Sequence, residues 1–379
     1  MQALRPVLQS DGPIPRPHER KVPARSWRPP PGVRMISADD HLHEVEHLWE
    51  ERMPAKWKDR APRLYFSEGE WHLEAEGRSL LLAGLPSSKE HDFKPLSDPT
   101  ARLAAMDEEG IEASLLFSQR TNGLIGLQDA DLYIAAMDAY NEWIAEYLRP
   151  YSHRLLPVAL CPAWKKPETA RDSLQQIKAL GFRAVQLPTN PRGVRYNSRE
   201  LDGLFAAVEE SGLPLSFHIA AVPEFVGYGS FGANIHRNMG PFRPLLGQLV
   251  FSGILERHPG LKVVFTEGGA SWAAQCITDM DQIYRTQYDV LSPRLAHKPS
   301  TYWHRQCATT FMYDPTALRI MDILGADNVL WSVDFPHAES VYGFAGEVAQ
   351  DVWERLGPAD AAKVLGGNAA RLWSIAPLH

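Results

Sequence analysis

The sequence predicts an α/β fold closed into a (β/α)8 TIM barrel. Three observations predict it. Eight short apolar runs recur between residues 33 and 334, helical patterns separate most of them, and several runs end in carboxylates or imidazoles. An open, doubly wound sheet is the structural alternative, but no glycine-rich phosphate loop follows the first run. A barrel also accommodates 379 residues of ordinary globular composition, 44% hydrophobic and 22% charged, as one unit.

The first 32 residues are rich in Pro and Arg and lack the apolar stretch of a secretory signal. They are expected to form a tail, disordered or extended on the surface or on a neighbouring subunit. Residues 33–379 are expected to form the barrel, with an insertion at 45–97 after the first strand. VRMISA (33–38) reads as that strand, and RLYFSEGEWHLEAEGRSLLLAG in the insertion reads as strands joined by Gly turns. SDPTARLAAMDEEG reads as a capped helix stopped at Gly110. The further strands are expected at 111–117, 154–160, 182–188, 213–219, 261–267, 306–311 and 328–334. Helices are expected at 129–149, 167–180, 198–211, 243–257, 271–288, 315–324, 344–356 and 359–373.

Charge and cysteine content narrow the function classes. A net charge of −7 gives no basic excess with which to bind nucleic acid or an anionic membrane. No apolar run reaches the length of about 18 residues that a membrane span needs. Cys161, Cys276 and Cys307 are few and widely spaced, so no disulfide framework is expected and a reducing cytoplasm fits. A small-molecule substrate is the expected partner.

Barrel chemistry gathers at the C-terminal ends of the strands. Strand one ends in Asp39 and His41, with Glu44 just beyond; strand five ends in His218, strand six in Glu267, and strand eight in Asp334 with His337 three residues on. Alternate strand residues share a face, so Asp39 and His41 can both turn to the barrel axis. A mixed carboxylate and imidazole set suits Zn, Mn or Fe, with a position left open for water or substrate. Taken singly, a histidine at a strand end is more often a hydrogen-bonded structural residue than a ligand. Delivery of such groups to one rim by four strands is what favours a metal centre.

ISADDHLHEVEHLW, FSGILERHPGLKVVFTEGGASW, NVLWSVDFPHAES and LGGNAARLW together resemble the amidohydrolase-2 family, the group related to aminocarboxymuconate semialdehyde decarboxylase. The resemblance runs from about residue 33 to 375. It implies a distorted barrel, a divalent metal held by Asp39, His41, His218 and Asp334, and a homodimer. The strand-six histidine that often donates a proton in family decarboxylases is replaced here by Glu267. No lysine ends FRAVQLP to form a bridging carbamate.

Two metal counts follow. With one metal, Glu267 is an outer or acid/base group. With two, Glu44, Glu267 or His337 complete a second site, and the ligand balance is that of a diiron oxygenase centre. The leading function is decarboxylation or hydrolysis of a small aromatic or hydrophobic carboxylic acid, with Asp334 and Glu267 as the candidate catalytic groups. The alternative is a non-heme diiron monooxygenase acting on a hydrophobic acid or thioester, a lineage to which the resemblance extends. In the loop after His218, Phe225, Tyr228 and Phe231 are the expected apolar walls, and Arg237 and Arg243 the expected clamp on a substrate carboxylate.

Overall fold

The computed structural model describes residues 20–22, 26–81, 94–191, 193–219 and 224–378. The strands are β1 (Ile36–Leu42), β2 (Arg63–Ser67), β3 (Glu70–Ala75), β4 (Arg78–Ser79), β5 (Ala113–Ser118), β6 (Leu155–Pro157), β7 (Ala159–Leu160), β8 (Val185–Pro188), β9 (Leu215–His218), β10 (Val263–Thr266), β11 (Cys307–Phe311) and β12 (Val329–Trp331). All but β2–β4 pair in parallel, in the order β1-β5-β6 and β7-β8-β9-β10-β11-β12.

The two parallel sheets are one ring. At Val158 the third barrel strand passes from one neighbour to the next: Val158 N donates to Leu116 O at 2.9 Å and Ala159 N to Ala184 O at 3.1 Å. β6 and β7 are therefore two halves of a single strand. On the other side, Asp334 N donates to Asp39 O at 2.8 Å and His41 N to Phe335 O at 2.7 Å. These bonds join the continuation of β12 to β1 and close eight strands into a barrel.

Ile36, Ala38, Leu115, Phe117, Val264 and Leu330 form part of an apolar cluster within the ring, and Trp373 and Ile375 of the C-terminal segment pack onto it. A second, larger cluster lies between the strands and the surrounding helices. Helix Pro99–Glu109 shows how local sequence sets this layer. Asp98 caps it by accepting from Thr100 N at 2.8 Å, Pro99 opens it, and Gly110 ends it at φ 76°. Its buried face carries Arg102, Ala105, Met106 and Glu109 at helical spacing.

Several elements depart from expectation. β1 does not stop at Ala38 but runs through ADDHL, because pairing with β5 continues to Leu42 opposite Ser118. The expected helix 243–257 divides at Gly253, φ 74°, into Phe242–Phe251 and Ile254–Arg257. The expected helix 315–324 shortens to Met321–Leu324 after a single 3-10 turn. The last two expected helices run on through a kink at Gly357-Pro358. Within the insertion, β2–β4 form the antiparallel sheet the Gly turns implied.

The described part of the N-terminal segment lies on this chain. Arg20 donates to Ala338 O at 2.9 Å, to Tyr342 O at 3.2 Å and to Ser340 O, and sits over the Phe344 ring. It thereby fastens the loop that follows His337. Among the described residues no helix is long and apolar enough to cross a membrane.

Gly366 illustrates the closeness of packing beneath the barrel. A Cβ there would stand 2.5 Å from Arg34 O, a backbone atom just before β1. Gly366→Ala is expected to cost about 1–3 kcal/mol, read as a lower urea midpoint; an unchanged midpoint would refute the close approach.

Candidate metal centre

A register shift aims the first-strand candidate ligands. Pairing of β1 with β5 jumps between Ser37 and Asp40. Ile36 upstream of the jump and Ala38 within it belong to the interior cluster. Across it the phase changes, so Asp39 and His41 turn to the axis while Asp40 faces outward. Ser37 Oγ pins the irregularity: it donates to Asp39 O at 3.0 Å and accepts from Val333 N at 2.9 Å.

Outward-facing Asp40 is bound in turn. Its carboxylate accepts from Phe335 N at 2.8 Å and from Ser114 Oγ, and Arg102 lies close enough to act on it electrostatically. Arg102 donates to His41 O and sits 4.1 Å from the Phe335 ring centroid. Burial raises the Asp40 pKa to about 6 despite Arg102. This buried pair braces both chain segments that carry site residues.

Six side chains converge at the rim. His218 Nε2 lies 3.3 Å from Asp39 Oδ1 and 3.1 Å from Glu267 Oε2. His41 Nε2 lies 3.4 Å from Asp334 Oδ1 and 3.9 Å from Asp39 Oδ1. His337 Nδ1 lies 2.9 Å from Asp334 Oδ1 and 3.1 Å from Glu267 Oε1. Their potential ligand atoms fall into two groups, each within 4.8 Å: Asp39, His41 and His218, and His41, Glu267, Asp334 and His337. His41 belongs to both.

The donor set fits a divalent cation. Asp39 Oδ2, His41 Nε2 and Asp334 Oδ2 are buried and have no hydrogen-bond partner among the described residues. Such groups are costly to leave unpaired, and a cation bound within either donor group would satisfy His41 Nε2 and one of the two carboxylates. The opposite nitrogens of two imidazoles face backbone carbonyls, His218 Nδ1 at 2.7 Å from Ile219 O and His41 Nδ1 at 3.4 Å from Ser118 O. That places the proton on Nδ1 and offers Nε2 as the lone pair.

Electrostatics agree with a crowded, dry site. Burial, with His337 and His218 nearby, pushes the His41 imidazole well below its usual range. Burial opposes charge on His337, but Asp334 and Glu267 outweigh it and hold its pKa well above the ordinary value. Burial lifts the carboxyls of Asp334 and Glu267, against the pull of His337. For His218, burial is outweighed by Asp39 and Glu267, which raise its pKa; a metal ligand must shed that proton. The backbone shares the constraint: Glu267 and Asp334 stand at φ 75° and 60°, the left-handed region that side chains other than glycine seldom adopt.

Three sequence expectations are corrected here. Glu44 belongs to neither donor group. Its Oε1 accepts from Thr121 N at 2.9 Å, Thr121 Oγ1 at 2.7 Å and Arg120 N at 3.0 Å, because the residue falls beyond β1 and turns to the β5 loop. Arg243 is exposed and pairs with Asp279, and Arg237 pairs with Glu224, so neither points a free fork at the centre. Phe225 and Tyr228 are surface residues, Tyr228 being 97% exposed, while the Phe231 side chain lies outside the described set.

Since every Glu44 contact is a donor, Glu44→Gln would set an NH2 against other donors. The expected outcome is a loss of about 1–3 kcal/mol with metal content unchanged; reduced metal content would restore Glu44 as a ligand.

The sequence reading missed the cleft itself. A narrow hollow of about 40 Å3 opens beside His218. Its apolar wall comes from Ile125, Tyr133, Met137, Leu160 and Cys161, and its polar contributions include Thr121, Asn122 and Gln186. The one available signal was Gln186, a lone amide in the otherwise apolar strand VQLP. Nearby, His43 is buried, with Nδ1 3.1 Å from Arg120, whose guanidinium stacks 4.2 Å from the Trp71 ring centroid.

With this geometry in place, comparison with known proteins gives a consistent class. The amidohydrolase family model matches residues 39–375, and the chain belongs to that family. Solved structures of similar fold include an amidohydrolase from Mycobacterium avium subsp. paratuberculosis K-10, 19% identical, with a TM-score of 0.70 over 90% of this chain and 99% of that one. The 5-carboxyvanillate decarboxylase of Sphingomonas paucimobilis is 22% identical, with a TM-score of 0.66 over 91% of this chain and 100% of its own. A dihydroxybenzoic acid decarboxylase from Polaromonas sp. JS666, solved with manganese and the inhibitor 2-nitroresorcinol, is 19% identical, with a TM-score of 0.63 over 90% and 97%.

Proposed function

We propose that this chain is a metal-dependent enzyme that decarboxylates a small aromatic or hydrophobic carboxylic acid. The observation that carries the reading is the convergence of unpaired buried donors from Asp39, His41 and Asp334, with His218, at the head of an apolar-walled cleft. Two proteins of similar fold are named as decarboxylases of aromatic acids, and one of them was solved with manganese.

Asp39, His41, His218 and Asp334 would hold the cation; Zn, Mn and Fe all suit this donor set. Bound there, a divalent ion supplies Lewis-acid polarisation of a substrate oxygen. The chain's own residues do the rest. Ile125, Met137 and Leu160 line the cleft and would keep water from a bound ring. His337, hydrogen-bonded through Nδ1 to Glu267 Oε1, holds a proton at the rim. Glu267 would pass a proton to the carbon that loses carbon dioxide, the task for which family members often use a histidine. Hydrolysis is the neighbouring activity on the same residues, with Asp334 accepting a proton from water.

The test is carbon dioxide release from a panel of aromatic acids by manganese- or zinc-loaded protein under strict anaerobiosis. Release is expected. A second reading rests on one observation: the group His41, Glu267, Asp334 and His337 overlaps the first and would accept a second ion. Two irons there would permit oxygenation of a hydrophobic acid or thioester, given oxygen and a reductant. Turnover only with iron, oxygen and a reductant would establish that reading and overturn the first.

A further inference from the structure

We infer that the side-chain carbonyl of Gln186 is the specificity contact of the cleft, reading an O–H or N–H donor on the ring of the bound acid. The inference rests on the reading of the site as one for a small aromatic acid, and adds which ring substituent it selects.

Gln186 lies on β8, only 4% exposed. In the barrel register it faces Ser216 of β9, while Pro188 faces His218. Gln186 thus stands one pleat deeper than the metal-ligating histidine, on the adjacent strand, and lines the cleft that His218 also lines. A ligand held at the centre and extending into this cleft meets the amide.

Hydrogen bonding fixes which end of the amide is presented. Ser118 O can only accept. Asn122 turns Nδ2 toward it, at 3.5 Å, and so turns Oδ1 toward Gln186. Gln186 Nε2 donates to that Oδ1 at 3.2 Å. An amide whose NH2 is engaged in this way presents its oxygen elsewhere. Gln186 Oε1 is buried, and it has no hydrogen-bond partner among the described residues. Ser118 O also faces His41 Nδ1 at 3.4 Å, so one carbonyl orders both a metal ligand and the amide chain that ends in the cleft.

A buried acceptor without a partner selects a ligand that brings a donor and disfavours one that brings only C–H. Ile125, Met137 and Leu160 supply no donor, and no hydroxyl of the described cleft residues lies within hydrogen-bond reach of Oε1. The matching chemistry is an aromatic acid bearing a phenolic hydroxyl or an amine on the ring.

The experiment uses manganese-loaded protein and four probes: benzoate and its ortho-, meta- and para-hydroxy derivatives, with Kd measured by calorimetry. Wild type is expected to bind one hydroxybenzoate at least about tenfold more tightly than benzoate. Gln186→Met, close in shape but with no acceptor, should abolish that preference while leaving metal content unchanged. Asn122→Leu, which frees the amide to rotate, should blunt the preference as well. Equal binding of all four probes by wild type, as expected if Oε1 is served by a bound water alone, overturns the assignment. So does a preference that survives Gln186→Met. Wild type that binds none of the four overturns both this assignment and the aromatic-acid reading beneath it.

Discussion

Asp334→Asn is expected to lower turnover by about a thousandfold or more while leaving the fold intact. Asparagine has nearly the same shape and tolerates the left-handed backbone at φ 60°, so the variant removes a charge without adding backbone strain. What it removes is the fully buried carboxylate that approaches both His41 and His337. Two readouts separate this from general damage. Wild-type protein should gain thermal stability on adding manganese or zinc, since a ligand that binds only the folded state shifts unfolding by mass action. The variant should show no such gain, and its metal-free melting temperature should not fall. Full activity with normal metal-dependent stabilisation would remove Asp334 from the centre.

The second large effect is on stability. Asp40→Ala is expected to cost about 3–5 kcal/mol, because it leaves the Arg102 guanidinium charged, 1% exposed and without its carboxylate. Urea unfolding would measure it. The double variant Asp40→Ala, Arg102→Met removes both charges and should recover much of the loss, as replacement of a buried ion pair by apolar side chains often does. If the single and double variants are equally unstable, Asp40 acts through its bonds to Phe335 N and Ser114 Oγ and not through Arg102. A drop in metal affinity alongside the stability loss is expected of both, since the pair braces the segments carrying His41 and Asp334.

How far the sequence reached depended on what each residue's position implies. His218, Glu267 and Asp334 were legible because each follows an apolar run that becomes a barrel strand, and strand ends of a barrel face one rim. Asp39 and His41 were legible as a pair, but not the irregularity between Ser37 and Asp40 that makes Asp39 and not Asp40 the inward residue. Bulges follow from pairing, and β1 meets β5 more than 70 positions away in sequence. Glu44 was misread for the opposite reason. Composition alone made it one more carboxylate near the rim, whereas direction, set by the Arg120 and Thr121 amides, takes it away. Arg237 and Arg243 were plausible clamps until Glu224 and Asp279 were placed beside them. The cleft was not legible, because Asn122, Tyr133 and Gln186 come from a 3-10 turn, an α-helix and a strand with no shared motif. The N-terminal segment was expected to be disordered or to lie extended on the surface or on a neighbour; in its described part Arg20 bonds to this chain's own strand-eight loop.

The central claim is that strands β1 and β9 and the loops after β10 and β12 build a centre for a divalent cation. Elemental analysis of wild-type protein purified without chelators, and again after incubation with manganese, zinc or ferrous iron, tests it most directly. At least one first-row divalent ion per chain is expected, removable by chelation and restored with activity on return of the ion. Protein that binds no ion under any of these conditions would contradict the account.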